Sequence, residues 1–251
     1  MGLSVILITK NEEANLKECL ESVSFANEII VVDSQSSDKT VEIARSFGAK
    51  VEITPHWPGF GPQKNTALSL ASQDWILSID ADERVSPELK AEILAITQSN
   101  QSQSCYEIPR LSWYCGRFMK HSGWYPDYVL RLFKKGSAKF SDHLVHERVI
   151  TNEKVGQLNN HFLHYSFRNF SQVLQKIDSY STLSAQQAFE QGRRSSIPKA
   201  FGKGMWAFFR TYFLRLGFLD GSQGLALAIS NAEGTYYRYL KIWLLQQKSG
   251  Q

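Results

Sequence analysis

The chain has 251 residues, 43% of them hydrophobic, and a formal net charge of +4 at neutral pH. This length suits one large α/β domain with an appendage. No apolar run reaches the length of about 20 residues that a transmembrane helix needs. The apolar N-terminal run is too short and too soon acidic for a signal peptide, and three cysteines without a CxxC pair favour a reducing compartment. We therefore expect a cytoplasmic protein.

Strands and helices alternate in the first third of the chain. Apolar runs predict buried strands at 3–8, 28–33 and 50–53. Helices are predicted from Asn11 onward and over 40–47, where Gly48 is suited to a left-handed stop. Such alternation is typical of an α/β fold with a mostly parallel sheet.

A fourth apolar run, at 75–79, ends in the carboxylates of Asp80, Asp82 and Glu83. Residues two apart in an extended chain point to the same side, so Asp80 and Asp82 are expected to face together. Two such carboxylates suit a divalent cation, Mg²⁺ or Mn²⁺, completed by phosphate oxygens. The alternative is an acidic turn before the helix that Ser86-Pro87 predicts.

Polar residues follow three of the predicted parallel strands, at the sheet edge where ligands bind in such folds. They are Thr9, Asn11 and Glu12 after the first strand, Asp33 and Asp38 at the second, and Asp80 and Asp82. No GxGxxG follows the first strand and no GxxxxGK[ST] occurs, so a phosphate ligand would need a metal and side chains. Lys64, in the glycine-containing segment 59–65, either contacts a diphosphate or is a solvated loop lysine.

The order of TKNEE, VVDSQSSDKT, GPQKN and DADE resembles the inverting glycosyltransferases of family 2. The resemblance implies the GT-A fold, here an α/β fold with a mixed, mostly parallel sheet and a C-terminal helical extension. It implies that Asp33 bonds uracil, that Thr9, Asn11 and Glu12 lie near the uridine, and that Lys64 neutralises the diphosphate. Asp80, Ala81 and Asp82 would form the DxD motif, with Asp82 nearest to the Mg²⁺ or Mn²⁺. Cations there would stabilise the departing nucleoside diphosphate.

We expect three regions: a nucleotide-sugar-binding half (1–100) and an acceptor-binding half (101–170) of one catalytic domain, then amphipathic helices (171–251). The middle region has strand-like composition at 105–110, 128–134, 138–141 and 144–151. Its loop aromatics, among them Trp124, either stack on a sugar ring or form a core patch.

An inverting transfer needs a base that takes the proton of the attacking hydroxyl. The candidates are Asp127, Asp142, His143, His146 and Glu147. HxxHE has neither zinc-protease order, so zinc is not expected there. PDYVLRLFKKG, LVHERV and HYSF resemble the lipopolysaccharide inner-core β-1,4-glucosyltransferases, which implies Glu147 as base, with Asp127 second. Arg131 and His164 are candidate diphosphate or acceptor contacts, Trp124 a candidate acceptor contact; the alternative for His164 is a structural role.

The C-terminal region is basic and aromatic. Segment 199–219 and a second segment, 225–245, predict two amphipathic helices, the first with Lys199, Lys203 and Arg210 opposite large aromatics. Such helices either lie in an anionic membrane interface or pack their apolar faces on each other and on the catalytic domain. The cations are too few for a nucleic-acid partner.

The resemblance implies transfer of glucose from UDP-glucose to an inner-core heptose of lipopolysaccharide, or to a similar lipid-linked saccharide, and we expect this at the cytoplasmic face of the inner membrane. Two alternatives stay open. A nucleotidyltransferase can share this fold, but TKNEEAN lacks the basic glycine-rich loop that such enzymes use. The other is a non-catalytic, membrane-associated scaffold that has kept the fold.

Overall fold

The computed structural model describes residues 1–99, 103–141 and 148–249. The chain forms two compact units. The first comprises Met1–Arg110 and Asp127–His164, and the second comprises Leu111–Pro126 and the chain from Tyr165 onward. The functional division at residue 170 stays a prediction, whereas the compact units differ from it in grouping Leu111–Pro126 with the C-terminal helices.

The strands and helices have the following bounds. The strands are β1 (Leu3–Thr9), β2 (Glu28–Asp33), β3 (Lys50–Ile53), β4 (Trp75–Ser78), β5 (Glu83–Val85), β6 (Cys105–Tyr114), β7 (Arg117–Phe118), β8 (Asp127–Lys134), β9 (Lys139–Phe140), β10 (Val149–Ile150), β11 (Val155–Gln157) and β12 (Phe162–Phe167). The helices are α1 (Glu13–Ser22), α2 (Thr40–Ser46), α3 (Phe60–Leu70), α4 (Pro87–Gln98), α5 (Phe170–Glu190), α6 (Ile197–Phe209) and α7 (Gly221–Ser249). A π-helical turn (Arg210–Leu214) and a 3₁₀ turn (Gly217–Asp220) lie between α6 and α7.

The main sheet is mixed, and its parallel part carries the polar strand ends. Its strands follow the order β3-β2-β1-β4-β8-β6-β12-β5. Strand β1 pairs in parallel with β2 and β4, and β2 pairs in parallel with β3. Strand β8 pairs antiparallel with β4 and β6. The predicted α/β fold with a mixed sheet is confirmed, and the carboxyl ends of β1, β2 and β4 meet at one edge.

Apolar side chains explain why β1 and β4 lie in the interior of the sheet. Val5 and Leu7 of β1 and Trp75 and Leu77 of β4 are fully buried or nearly so. Strands buried on both faces need near-continuous apolar runs, as these segments have. The predicted start of α4 is also confirmed, since Ser86 Oγ accepts a hydrogen bond from the Leu89 N–H at 3.2 Å.

In the second unit, α6 packs on α7 through small residues. Ala200, Gly204 and Ala207 are buried, and a Cβ atom at Gly204 would lie 3.2 Å from the Ala232 carbonyl oxygen. Small side chains let the two backbones approach closely, so the large ones point away. Phe201 is 63% exposed and Trp206 is 53% exposed. The two helices therefore pack on each other, as one of the two alternatives had it, but not through Phe201 and Trp206.

Replacing Gly234 by alanine should stabilise the protein. The new Cβ atom would lie 3.8 Å from Cγ2 of Ile177, an ordinary contact, within helix α7. Alanine restricts the unfolded chain more than glycine, so a gain of about 0.4–1 kcal/mol in the free energy of unfolding is expected. Urea denaturation measures it. Gly224→Ala is the contrasting variant: its Cβ atom would lie 1.8 Å from the Gly217 carbonyl oxygen, so it should lose stability. Equal effects of the two variants would contradict this account.

Candidate active site

Asp33 lies at the carboxyl end of β2 and is fully buried. Its carboxylate accepts hydrogen bonds from Thr9 Oγ1 at 2.9 Å, the Ser36 N–H at 2.8 Å and Ser36 Oγ at 2.6 Å. A buried charge is tolerated when such donors surround it. The residues after β1 and β2 are thereby joined.

The segment after β1 is held against the loop after β2. Asn11 has a left-handed backbone, with φ of 56°, and its Oδ1 accepts a hydrogen bond from the Ser37 N–H at 2.8 Å. The Glu12 N–H donates to Thr40 Oγ1 at 2.7 Å. Burial and the nearby charges of Asp82, Asp38 and Asp80 raise the pKa of Glu12, outweighing a hydrogen bond from Asn15. The loops therefore present an acidic edge whose charges disfavour one another.

A cavity of about 380 Å³ opens beside these loops. It is lined by Ile8, Thr9, Lys10, Glu12, Trp57 and Phe60. The rings of Trp57 and Phe60 meet edge to face, with centroids 4.9 Å apart. The sequence interpretation missed both aromatics, although the segment WPGF between β3 and Lys64 carried the signal. Aromatic faces beside polar groups suit a flat heterocycle.

Lys64 and Arg131 hold Asp80. Nζ of Lys64 lies 3.0 Å from Oδ1 of Asp80, and Arg131 Nη2 bonds Oδ2 of the same carboxylate. Lys64 lies in helix α3 and is only 4% exposed. The alternative of a solvated loop lysine is therefore wrong, because Lys64 lies on a helix and its side chain is buried against a carboxylate.

Asp80 and Asp82 do not form the like-facing pair that an extended strand would produce. Strand β4 ends at Ser78, and a turn follows before β5. Asp80 therefore meets Lys64 and Arg131, whereas Asp82 Oδ2 lies 3.4 Å from Nε2 of His164. The two carboxylates thus have different partners, which is a correction to the geometry expected from the sequence.

The charge of Asp80 should make the free energy of unfolding depend on pH in the acidic range. Burial favours its neutral form, but Arg131 and Lys64 outweigh burial and hold its pKa well below the ordinary 3.8. A lowered pKa means that the ionised carboxylate stabilises the fold above pH 3.8, and that this contribution is lost as the pH falls below it. Asp80→Asn should thus cost more stability at pH 6 than at pH 3, by urea unfolding. Equal losses of stability from Asp80→Asn at both pH values would contradict the assignment.

A second ion cluster surrounds Glu83, which is fully buried. Its Oε1 lies 3.2 Å from Arg131 Nη2 and 3.6 Å from Arg110 Nη1, and its Oε2 accepts from the Asp80 N–H at 2.9 Å. Arg110 also donates to Oδ2 of Asp127, from Nε at 3.0 Å and from Nη2 at 2.5 Å. Asp127, the second candidate base, is thus engaged in an ion pair.

These clusters border a cavity of about 880 Å³. Its lining includes four cations (Lys64, Arg110, Arg131 and Arg148) against two carboxylates (Asp80 and Glu107). An excess of positive charge in a concave site attracts anionic ligands. The cavity is therefore suited to phosphate or carboxylate groups.

The remaining predicted residues separate into three groups. Asp142, His143, His146 and Glu147, the candidate bases besides Asp127, lie outside the described residues. Ala81 is buried, and its carbonyl oxygen accepts from Arg84 Nη1 at 2.7 Å. Trp124 belongs to the second unit, where its ring packs edge to face on Tyr114 at 5.6 Å. The core-patch alternative therefore describes its packing.

The donor set around Asp82 fits a hard divalent cation. Within residues 1–99, 103–141 and 148–249, no group of three or more His, Cys, Asp and Glu residues could hold a metal alone. Mg²⁺ and similar ions are commonly held by one or two carboxylates and complete their shells with substrate phosphates and water. Asp82, about one-third exposed and next to His164, meets this requirement.

The parallel strand ends carry ionic groups of the kind that bind phosphate-bearing ligands in α/β folds. The chain belongs to glycosyltransferase family 2, since residues 4–178 match the model of Glycosyl transferase family 2. It is 34% identical to an uncharacterized glycosyltransferase of Rickettsia typhi, over 98% of this chain and 88% of that one. It is 29% identical to the lipopolysaccharide core biosynthesis glycosyltransferase LpsC of Rhizobium meliloti, over 95% of this chain and 93% of that one.

A solved structure supports the fold assignment. TarS 1–349 of S. aureus in complex with UDP matches with a TM-score of 0.52 and 16% identity, over 100% of this chain and 92% of that one. The predicted GT-A fold and glycosyltransferase class are confirmed, and the nucleotidyltransferase and scaffold alternatives are not favoured. Among the described helices, none is long and apolar enough to cross a bilayer.

Proposed function

We propose that the protein transfers a hexose from a UDP-sugar, with glucose as the expected sugar, to an inner-core heptose of lipopolysaccharide or a similar lipid-linked saccharide. The observation that carries the proposal is the ionic edge at the ends of three adjacent parallel strands, with Thr9 on β1, buried Asp33 on β2, and Asp80 and Asp82 after β4. Lys64 pairs with Asp80 there. A UDP donor is supported by the shared fold of TarS, which was crystallised with UDP and with UDP-GlcNAc.

Each part of this edge has a role in the proposal. The cavity with Trp57 and Phe60 receives the uracil, next to Asp33 and Thr9. Lys64 and Arg131 neutralise the diphosphate, for which they would exchange part of their contact with Asp80. Asp82, with His164 beside it, holds Mg²⁺ or Mn²⁺. A bound divalent cation supplies electrostatic stabilisation to the leaving nucleoside diphosphate.

The acceptor side of the proposal rests on charge and on the relatives. Cations around the larger cavity suit an acceptor that bears phosphate or carboxylate groups. LpsC acts in lipopolysaccharide core biosynthesis by its name, which supports this acceptor class. Glu147 is the proposed base and Asp127 the alternative; the base takes the proton of the attacking hydroxyl while the anomeric configuration inverts. Contact of Trp124 with the acceptor also remains a proposal.

Product analysis tests the proposal. The enzyme would be incubated with UDP-glucose, UDP-galactose, UDP-GlcNAc and GDP-mannose, each with Mn²⁺, Mg²⁺ or EDTA, and with a heptose-containing core oligosaccharide. We expect metal-dependent release of UDP from one UDP-sugar and a β-linked product by NMR. Glu147→Gln should keep donor binding and lose transfer, whereas loss from Asp127→Asn alone would move the base to Asp127. Absence of transfer from every UDP-sugar would overturn the proposal.

We further propose that the second unit binds the cytoplasmic face of the inner membrane. Aromatics of α6, among them Phe201 and Trp206, are exposed beside Lys199 and Lys203. Exposed aromatics with flanking cations are typical of a helix that lies in an anionic interface.

Vesicle co-sedimentation tests this membrane proposal. Phe201→Gln/Trp206→Gln should bind phosphatidylglycerol vesicles at least about fivefold more weakly than wild type, because two exposed aromatics that would enter the membrane interface are lost. Leu183→Gln, which removes an equally exposed apolar side chain from α5, is the control and should bind as wild type. Unchanged binding of the double variant, or equal binding of wild type to neutral phosphatidylcholine, would contradict the proposal.

A further inference from the structure

A separate cavity of about 340 Å³ lies within the second unit, between α5 and α7. Apolar and aromatic side chains form most of its wall: Tyr114, Trp124, Phe167, Val173, Ile177 and Leu227. Its volume falls within the range of small-molecule sites, which are concave and mostly apolar with a few polar groups. The proposed transfer reaction uses none of these side chains except, as a proposal, Trp124.

Two cations and five uncharged polar residues interrupt this apolar wall, the uncharged ones being Ser181, Ser184, Ser230, Asn231 and Thr235. Lys176 and Arg238 both line the cavity, and none of its described lining residues is acidic. Nζ of Lys176 lies 5.0 Å from the ring centre of Phe167 and 5.5 Å from that of Tyr180. Within the described residues, Nε of Arg238 is buried without a hydrogen-bond partner. The two cations give the cavity a positive charge with no acidic lining residue among those described, which points to an anionic ligand.

We propose that this cavity binds a single-chain anionic amphiphile. Its apolar chain would lie against Val173, Ile177 and Leu227, and its phosphate or carboxylate group would accept hydrogen bonds from Lys176 and Arg238. A neutral sugar fits less well, because it would leave the charges of Lys176 and Arg238 without an anionic partner. The amphiphile is either a lipid drawn from a membrane or the lipid part of an acceptor, and both share this chemistry.

Gly234 allows the cavity to be closed by one substitution. It lines the cavity, and a Cβ atom there would contact Cγ2 of Ile177 at 3.8 Å, so a larger side chain would extend into the space. Gly234→Leu is the blocking variant. Gln186→Leu, an exposed position on α5 outside the lining, is the matched control. Lys176→Gln/Arg238→Gln removes the charge and keeps the space.

Calorimetric titration of the full chain tests the proposal. The probes are dodecyl phosphate and dodecyl maltoside, each below its critical micelle concentration. We expect one saturable site that prefers dodecyl phosphate by at least about tenfold, as charge-assisted hydrogen bonds allow. Gly234→Leu should lose this site, Gln186→Leu should keep it, and Lys176→Gln/Arg238→Gln should bind both probes equally.

Three results would overturn the proposal: no saturable binding by wild type, equal affinity of wild type for both probes, or wild-type binding by Gly234→Leu. Thermal unfolding of each variant shows whether binding is lost because the cavity is blocked or because the unit is misfolded. The Lys176→Gln/Arg238→Gln variant tests the site for the head group without filling the cavity. Donor turnover by Gly234→Leu should stay at the wild-type level in the absence of acceptor. If the cavity binds no amphiphile, the proposed glycosyl transfer is therefore unaffected, because donor turnover does not depend on this cavity. Competition by inorganic phosphate and by lysophospholipid distinguishes a free anion from a lipid source.

Discussion

Asp82→Asn should lower metal-dependent turnover of the UDP-sugar at least about 100-fold, since lost electrostatic stabilisation of a leaving group has effects of this size. The substitution keeps the volume of the side chain and removes the charge that the proposed cation requires. Turnover measured by UDP release over a series of Mn²⁺ concentrations checks the result. The folded protein should persist, because Asp82 is about one-third exposed and its described ion-pair partner is His164 at 3.4 Å.

The control for this variant is Asp74→Asn. Asp74 sits at the amino end of β4, where its Oδ2 accepts a hydrogen bond from the Gly2 N–H at 3.2 Å. Asp74→Asn makes the same chemical change as Asp82→Asn but at the opposite end of β4, away from the proposed metal site. Turnover by this variant should therefore be unchanged. His164→Asn should raise the Mn²⁺ concentration needed for half-maximal activity by about 10- to 100-fold if His164 supports the metal. An Asp82→Asn variant that keeps most of its metal-dependent turnover would refute the assignment of Asp82.

The largest expected loss of stability comes from Arg131→Gln. Arg131 is nearly buried and its Nη2 contacts both Asp80 and the fully buried Glu83. Removing one partner of a buried ion pair leaves an uncompensated charge, which costs about 3–5 kcal/mol. Urea unfolding at neutral pH measures this loss of free energy. The variant should also weaken UDP-sugar binding, because Arg131 is a proposed diphosphate contact.

Two further variants show whether burial causes the loss. Lys17→Gln breaks the exposed pair with Glu21, whose nitrogen and oxygen are 3.9 Å apart, and should cost no more than about 0.5 kcal/mol. Adding Glu83→Gln to Arg131→Gln should restore part of the stability, because the buried charge is then removed. If Arg131→Gln is as stable as Lys17→Gln, the ion cluster does not support the fold.

The order of elements in the first unit could be read from the sequence. The apolar runs of β1, β2 and β4 indicate buried parallel strands, because a strand buried on both faces requires such a run and these runs alternate with helices. The polar groups Thr9, Asp33 and Asp80 were predictable for the same reason, since parallel strands bring their carboxyl ends to one edge. The motif order also identified the family.

The contacts made by these groups could not be read in the same way. Asp80 and Asp82 were expected to face together, but the chain turns after Ser78 and gives them different partners. Arg131 comes from β8, which pairs antiparallel with β4, and no local pattern indicates which side chain will cross to a carboxylate 51 residues away. Trp57 and Phe60 were missed because two aromatics in a loop have no periodicity.

Apolar periodicity and chain order were enough to predict the α/β class and the edge where the parallel strands end. They also indicated which polar side chains lie at that edge. Tertiary structure alone decided which charges neutralise one another and which surfaces stay open. In the second unit, small residues bring α6 and α7 together and leave Phe201 and Trp206 exposed. The physical reason is the same in both units: side-chain partners depend on long-range packing, which a local pattern does not encode.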